Sequence, residues 1–111
     1  MKADATDTLF KVLADPTRRQ ILDLLAERGS LNVSQLAAEF PDLVTSGISK
    51  HLMGLRAAGL VHADRDGRQQ IYTLDIKAVT GPLTPWLRKY DRFLADALER
   101  LRAAVEDETG E

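Results

Sequence analysis

The chain has 111 residues, of which 44% are apolar and none is cysteine, and its formal net charge is −2. This length suits a single hydrophobic core, so we expect one domain over residues 1–111. The lack of cysteine excludes disulfides, thiolate metal ligands and thiol nucleophiles, and two histidines are too few for a histidine-rich metal cluster, so we predict no metal and no cofactor.

The first two predicted elements are helices separated by Asp15-Pro16. The segment DTLFKVL has the apolar spacing of a short amphipathic helix, and the Asp-Pro pair ends it. The same pair starts the second helix, with Asp15 as the cap and Pro16 at the first helical position. The second helix has an apolar face and ends at Gly29 in a left-handed conformation.

Two short helices joined by a turn are predicted next. Asn32 and Gln35 have the spacing of a capping box for a third helix that buries Leu36, Ala37 and Phe40 and ends at Pro41. After the turn, Thr45 or Ser46 caps a fourth helix that ends at Gly59. Its apolar face recurs at the helical spacing and consists of Ile48, Leu52 and Leu55.

A β-hairpin and a final helix complete the chain. Leu60 to Asp64 and Gln69 to Leu74 are strand-like, and the Asp66-Gly67 pair between them is a strong hairpin signal. A turn-rich segment follows, and Thr84 and Pro85 then predict the start of a helix to about Ala104.

The last helix carries a broad apolar stripe that one small domain has little left to cover. We expect a two-fold homodimer to cover it, with residues 80–105 as the dimerisation helix and the first helix joining the contact. The alternative is that this helix folds back on its own domain. The expected interface residues are Leu9, Phe10, Trp86, Tyr90, Phe93, Leu94, Leu98 and Leu101.

This order of elements predicts a mainly α fold with a small β-hairpin wing, a winged helix-turn-helix of layout α-α-α-α-β-β-α, with a DNA-binding core at 8–75. If the apolar face of the fourth helix is buried, its opposite face presents groups that reach bases or phosphates. The predicted DNA contacts are Thr45, Ser46, Ser49, Lys50 and His51 on this helix, with Arg65, Arg68 and Gln69 at the wing.

Several roles stay open at this stage. His51 lies at the border of the buried face, where phosphate contact and packing are equally consistent with the pattern. The wing arginines either contact DNA or merely neutralise Asp64 and Asp66. Residues 44–72 carry four basic and two acidic residues, whereas 95–111 carry two basic and six acidic ones, so the middle of the chain suits phosphate better than the end.

Three classes of function follow from these features. The first is a sequence-specific, double-stranded-DNA-binding regulator, a repressor on an inverted-repeat operator, although activation is an alternative. The second is a winged-helix module for protein contact, which the overall acidity keeps open. An enzyme is the third, but no nucleophile with a base and no phosphate-binding glycine loop is visible. With no long uncharged apolar run and no signal-like start, we expect a cytoplasmic protein without a membrane partner.

Three segments together resemble the ArsR type (ArsR/SmtB) of bacterial regulators: LADPTRRQILDLL, SKHLMGLRAAGLV and DGRQQIYTLD. The resemblance is close over Leu9 to Asp75 and looser over the last helix. It implies a winged-helix dimer built on the first and last helices, a recognition helix at Ser46 to Ala58, and repression that an unknown small-molecule inducer relieves.

Departures from the family pattern point to a subgroup without the metal-binding cysteines and histidines. Where arsenic- and metal-sensing members carry cysteines in the third helix, this chain has Asn32 and Ser34. The last helix has no histidine, and carboxylates alone, from Asp91 or Asp96, would make a poor zinc site. The W-L-x-x-Y-x-x-F pattern of Trp86, Tyr90 and Phe93 either packs an interface or lines a pocket for an apolar inducer.

Overall fold

The chain folds as helices around a small sheet whose hairpin forms a wing, which confirms the predicted fold class. The structure is a computed structural model and describes residues 4–109. Its elements are α1 (Ala5–Leu13), α2 (Pro16–Arg28), β1 (Leu31–Asn32), α3 (Val33–Ala37), α4 (Thr45–Ala57), β2 (Val61–Asp66), β3 (Gln69–Leu74), α5 (Ile76–Arg88) and α6 (Asp91–Thr109).

The predicted caps of α2 and α3 are confirmed. The Asp15 carboxylate accepts from the backbone N–H of Thr17 at 2.8 Å and of Arg18 at 3.1 Å, with Pro16 beginning the helix. Asn32 and Gln35 exchange two hydrogen bonds of 2.8 Å in a capping box. These bonds satisfy amides that the first turn of a helix leaves without partners.

Two glycines end helices with positive φ. Gly59 follows α4 with φ of 78°, and the bonds Leu60 N to Leu55 O and Gly59 N to Arg56 O close the turn as a Schellman motif. Gly29 ends α2 with φ of 80° and ψ of −144°. Its positive φ fits the prediction, but its ψ lies outside the left-handed helical region, because the chain extends at once into β1.

The helix-turn-helix differs from the prediction at two helix ends. Val44, which makes no side-chain cap bond, is the N-cap of α4, so the predicted capping by Thr45 or Ser46 is wrong. Both side chains lie in the first turn instead, since Val44 O already accepts from the N–H of Gly47 and Ile48. Helix α3 ends at Ala37, before Pro41, and residues 38–40 continue as turns.

The sheet has three antiparallel strands in the order β1-β3-β2, one strand more than predicted. The short β1 pairs Leu31 with Tyr72 and Asn32 with Ile71. Strand β3 has the predicted bounds, whereas β2 begins one residue later and reaches Asp66. A two-residue turn at Gly67 and Arg68 joins them, and the φ of 65° at Gly67 meets the positive φ that tight hairpin turns require.

One hydrophobic cluster joins α1, α2, α3, α4 and the sheet. The apolar face of α4 is fully buried, with Ile48, Leu52 and Leu55 each 0% exposed. Leu9, which the sequence assigned to the dimer contact, is 2% exposed and belongs to this core. Leu9 is therefore covered within the single chain and is not available for the expected dimer contact, which involves the other predicted interface residues.

The prediction of one C-terminal helix starting at Thr84 is wrong. Helix α5 begins at Ile76 with Asp75 as its N-cap, continues through Pro82 and Pro85, and ends at Arg88. A proline inside a helix costs a hydrogen bond, but α5 packs on the core through Ala78, Val79 and Leu83, and this packing stabilises the helix. The remaining residues of the segment form α6, after a tight turn at Lys89 and Tyr90.

Helix α6 extends away from the core. Every side chain described on it is exposed, including Phe93 at 66%, Leu94 at 59%, Leu98 at 57% and Leu101 at 62%. Most of the stability of helices in proteins comes from packing of an apolar face, and an uncovered apolar stripe is a common mark of an interface. The helix does not fold back on its own core as the alternative interpretation required.

Candidate nucleic-acid interface

The exposed face of α4 is the centre of the candidate site. Thr45, Ser46 and Lys50 are exposed, while Ser49 and His51 are partly buried on opposite flanks of the helix. The three buried leucine and isoleucine positions fix this orientation, because they anchor the opposite face in the core. The face thus presents hydroxyl and ammonium groups, which suit base edges and phosphates.

Met53 adds an apolar group to the same face. It is 68% exposed, although methionine is commonly buried. Its sequence position, three residues after Lys50, already indicated an outward direction. In a major groove, an apolar side chain suits the methyl group of thymine.

The wing flanks α4 on one side. A groove of about 440 Å³ separates it from the helix, with Ser49 and Met53 on one wall and Arg68 and Gln69 on the other. Ser34 and Gln70, which the sequence did not predict as DNA contacts, also line it. They reach the groove because β1 and α3 lie beside β3, a pairing that no local sequence pattern signals.

Gln69 is held in place next to the tip of the wing. Its side-chain oxygen accepts a hydrogen bond from the Asn32 amide at 3.0 Å. The next residue, Gln70, accepts from the hydroxyl of Tyr72 at 3.0 Å, and Tyr72 is part of the core. These bonds tie the wing to the core and to the start of α3, so its position relative to α4 is defined.

The wing arginines are exposed and lack intramolecular partners in the part of the chain that the structure describes. Neither Arg65 nor Arg68 has a carboxylate within 4.0 Å there, although Asp64 and Asp66 are close in sequence. The interpretation that the arginines only neutralise these aspartates is therefore not supported. Two unpaired guanidinium groups at a projecting turn suit the phosphate backbone or a minor groove.

The flank of α4 opposite the wing faces the start of α2. The hydrogen bond from the Arg18 N–H lowers the pKa of Asp15, outweighing partial desolvation, and the nearby charge of His51 and the Thr17 N–H lower it further. His51 therefore lies close enough to Asp15 for their charges to interact. Its ring is partly buried beside α2, which leaves both packing and phosphate contact open to it.

A second candidate surface lies on α1, α5 and α6. Trp86 contacts Phe10 edge to face, with the ring centroids 5.2 Å apart. It also contacts Tyr90 in a tilted arrangement, with the centroids 5.1 Å apart. The three rings remain between 37% and 46% exposed. They continue the apolar stripe of α6, so the predicted interface residues other than Leu9 share one exposed surface.

Known proteins are similar to this chain in both sequence and fold. Residues 15–63 match the sequence model of a protein family described as "Bacterial regulatory protein, arsR family". The uncharacterized HTH-type transcriptional regulator Rv0081 of Mycobacterium tuberculosis is 39% identical over 97 residues, covering 85% of this chain and 84% of its own length. The chain belongs to the ArsR family.

Solved structures extend the match to the fold. The crystal structure of the ArsR family transcriptional regulator RHA00566 superposes with a TM-score of 0.71 at 29% identity, covering 83% of this chain and 98% of that one. HlyU from Vibrio cholerae N16961 superposes with a TM-score of 0.63 at 31% identity, covering 78% and 91%. This ArsR-family chain is a DNA-binding transcriptional regulator with a winged helix-turn-helix.

Side chains able to bind a metal ion do not cluster in the part of the chain that the structure describes. Between residues 4 and 109 the structure contains no group of three or more histidine, cysteine, aspartate or glutamate side chains placed to hold a metal ion. The same residues include no helix long and apolar enough to cross a bilayer. Absence of a cofactor stays a prediction for this ArsR-family member.

Proposed function

We propose that this regulator is a cytoplasmic repressor that binds an inverted-repeat operator as a homodimer. Each subunit places α4 in a major groove and its wing on the adjacent backbone or minor groove. The observation that carries the proposal is the exposed hydroxyl and ammonium face of α4 beside two wing arginines without partners in the described chain. A duplex is the ligand that engages both surfaces at once.

The side chains of the interface divide into two roles. Lys50, Arg65 and Arg68 carry positive charge and supply salt-dependent affinity for phosphates. Ser46 and Ser49 exchange hydrogen bonds with base edges and influence the choice of sequence. Thr45 completes the contact at the start of α4, His51 on its flank, and Gln69 next to the tip of the wing.

The proposed homodimer is supported by the uncovered stripe on α5 and α6. Burying several large apolar side chains of α6 against their two-fold copies removes them from water, which the single chain does not achieve. A two-fold dimer requires an inverted repeat, with half-site centres about one helical turn, roughly 34 Å, or a multiple of it apart.

Repression follows if the dimer occupies promoter DNA in the absence of a signal. We propose that a small-molecule inducer of unknown identity releases it, as the family resemblance implies, and that no enzymatic step is involved. A reporter gene placed behind the bound site distinguishes the two directions of control. Higher expression in a deletion strain supports repression, and lower expression indicates activation.

The experiment that tests DNA recognition starts from a random 30-bp duplex pool. Duplexes retained by the protein are sequenced, and one is labelled for fluorescence anisotropy over a salt series with wild type, Arg68→Ala and Arg92→Ala. Arg92 is an exposed arginine on α6, away from the wing, and serves as the matched control. For a dimer, loss of two phosphate contacts reduces the slope of log K against log salt by about 1.8.

The outcomes separate the proposal from its alternatives. Enrichment of an inverted repeat, together with a shallower slope for Arg68→Ala alone, supports the proposal. Equal slopes of log K against log salt for Arg68→Ala and Arg92→Ala would show that the wing does not contact DNA. No binding to any duplex at low salt by a folded dimer would contradict DNA recognition and favour a module for protein contact.

A further inference from the structure

Arg18 lies across the recognition helix α4, although it belongs to the first turn of α2. A Cβ atom built on Gly54 would lie 3.1 Å from Nη2 of Arg18, 3.3 Å from Cζ and 3.7 Å from Nε. The guanidinium group therefore rests on the backbone of α4 at this glycine. A methyl group at position 54 would require the guanidinium, the far end of a flexible side chain, to shift by a few tenths of an ångström.

The charge of Arg18 has little compensation within the described residues. Its Nε is buried and has no hydrogen-bond partner there, and no carboxylate lies within 4.0 Å of the guanidinium. A buried donor without a partner costs free energy, although Arg18 as a whole is only partly buried. Asp15 interacts with it only at longer range, and the Oδ1 atom of Asp15 already accepts the amides of Thr17 and Arg18.

The guanidinium of Arg18 and the wing lie on opposite flanks of α4. Gly54 follows the exposed Met53 on α4, and Ser49 faces the wing from the other flank. A helix seated in a major groove has a phosphate backbone along each flank. The wing arginines meet one backbone, and the Arg18 guanidinium rests on the other flank of α4 at Gly54.

We infer that Arg18 binds a backbone phosphate of duplex DNA on the flank of α4 opposite the wing, and that Gly54 leaves the space its guanidinium needs. The inference rests on the proposed function and adds a second point of attachment to it. Two attachments on opposite flanks fix the depth and the register of α4 in the groove, which the wing alone does not.

The test compares Arg18→Ala, Arg18→Lys and Gly54→Ala with Arg19→Ala as the matched control. Arg19 is the adjacent arginine, is exposed, and donates to the carbonyl oxygen of Leu13, away from α4. The probe is the labelled 30-bp duplex recovered from the random pool, and affinity is measured between 50 and 200 mM salt. Far-UV circular dichroism confirms that each variant is folded.

We expect Arg18→Ala to reduce the slope of log K against log salt by about 1.8 per dimer. The ratio of wild-type affinity to variant affinity should therefore be about 12-fold smaller at 200 mM salt than at 50 mM salt. Arg18→Lys retains the charge and restores most of the slope. Gly54→Ala shifts the guanidinium by only a few tenths of an ångström, so we expect it to weaken binding less than Arg18→Ala does. Arg19→Ala retains the wild-type slope.

A scan of methylphosphonates, which remove the charge of one phosphate at a time, identifies the partner. The phosphate bound by Arg18 is the one whose neutralisation weakens wild type but not Arg18→Ala. A wild-type slope for Arg18→Ala, with Arg68→Ala still shallow, would overturn the inference and leave Arg18 as a packing residue. If Arg18→Ala does not fold, Arg18→Gln, which removes the charge and keeps much of the side-chain volume, takes its place; a wild-type slope for this variant overturns the inference, and a shallower slope supports it. Failure of wild type to bind any duplex would instead contradict the proposed function itself.

Discussion

Truncating Phe93 to alanine tests the proposed dimer where the structure leaves the most apolar surface open. Phe93 is 66% exposed and lies outside the core, so the change removes little from the folded single chain. A phenylalanine buries roughly 200 Å² when fully covered, so about 130 Å² of this side chain remains to be covered. At about 25 cal/mol per Å², covering it contributes up to about 3 kcal/mol per subunit and 6 kcal/mol per dimer.

Association costs and the remaining alanine methyl reduce this figure. If half of it is realised, about 3 kcal/mol is lost and the dimer dissociation constant rises roughly 100-fold. Sedimentation velocity over a concentration series measures this constant for wild type, Phe93→Ala and Glu99→Ala. Glu99 is exposed on the polar side of α6 and serves as the control. An unchanged constant for Phe93→Ala, or an equal rise for Glu99→Ala, would refute the assignment of the stripe to the interface.

Three further predictions concern stability. Leu52→Ala should lower the free energy of unfolding by about 2–5 kcal/mol in urea titration, because Leu52 is 0% exposed, and a loss below about 1 kcal/mol would contradict its central position. Asp15→Ala should lower it by about 1 kcal/mol, since two α2 amides lose their cap, and an unchanged urea midpoint would argue against the cap. The Ala78 N–H and His62 lower the pKa of Asp75 from its ordinary value of 3.8, so its contribution is complete above that value and is lost as pH falls through the folded-state pKa. Asp75→Asn should therefore flatten the fall of stability in acid, and identical acid-unfolding curves would contradict this.

Local patterns predicted the elements that local interactions define. Asp15-Pro16 and the Asn32–Gln35 box set helix starts through bonds between neighbours in sequence, so both could be identified without the fold. The buried face of α4 repeats at the helical period and was equally accessible. From this face the outward direction of Ser46 and Lys50 followed directly.

Features that depend on distant segments could not be predicted in this way. Strand β1 exists because Leu31 and Asn32 pair with Tyr72 and Ile71, whereas the local text of β1 indicates only a helix start. The prolines of α5 suggested a turn, but packing on the core overrides them, and the Asp75 cap was the signal missed. The position of Arg18 over Gly54 requires α2 and α4 to pack, which neither segment encodes alone.

The connection between the wing and α5 makes the two proposed interfaces depend on each other. Only Asp75 separates β3 from α5, and its N–H donates to the carbonyl oxygen of the buried Leu60 at 2.9 Å. Its carboxylate accepts from the Ala78 N–H at 3.0 Å and contacts Nε2 of His62 on β2 at 2.7 Å. These bonds hold the start of α5 against both strands of the wing. In a dimer built on α5 and α6, the direction of α5 therefore sets the distance between the two wings, and a ligand that changes the packing of these helices changes the fit to the operator.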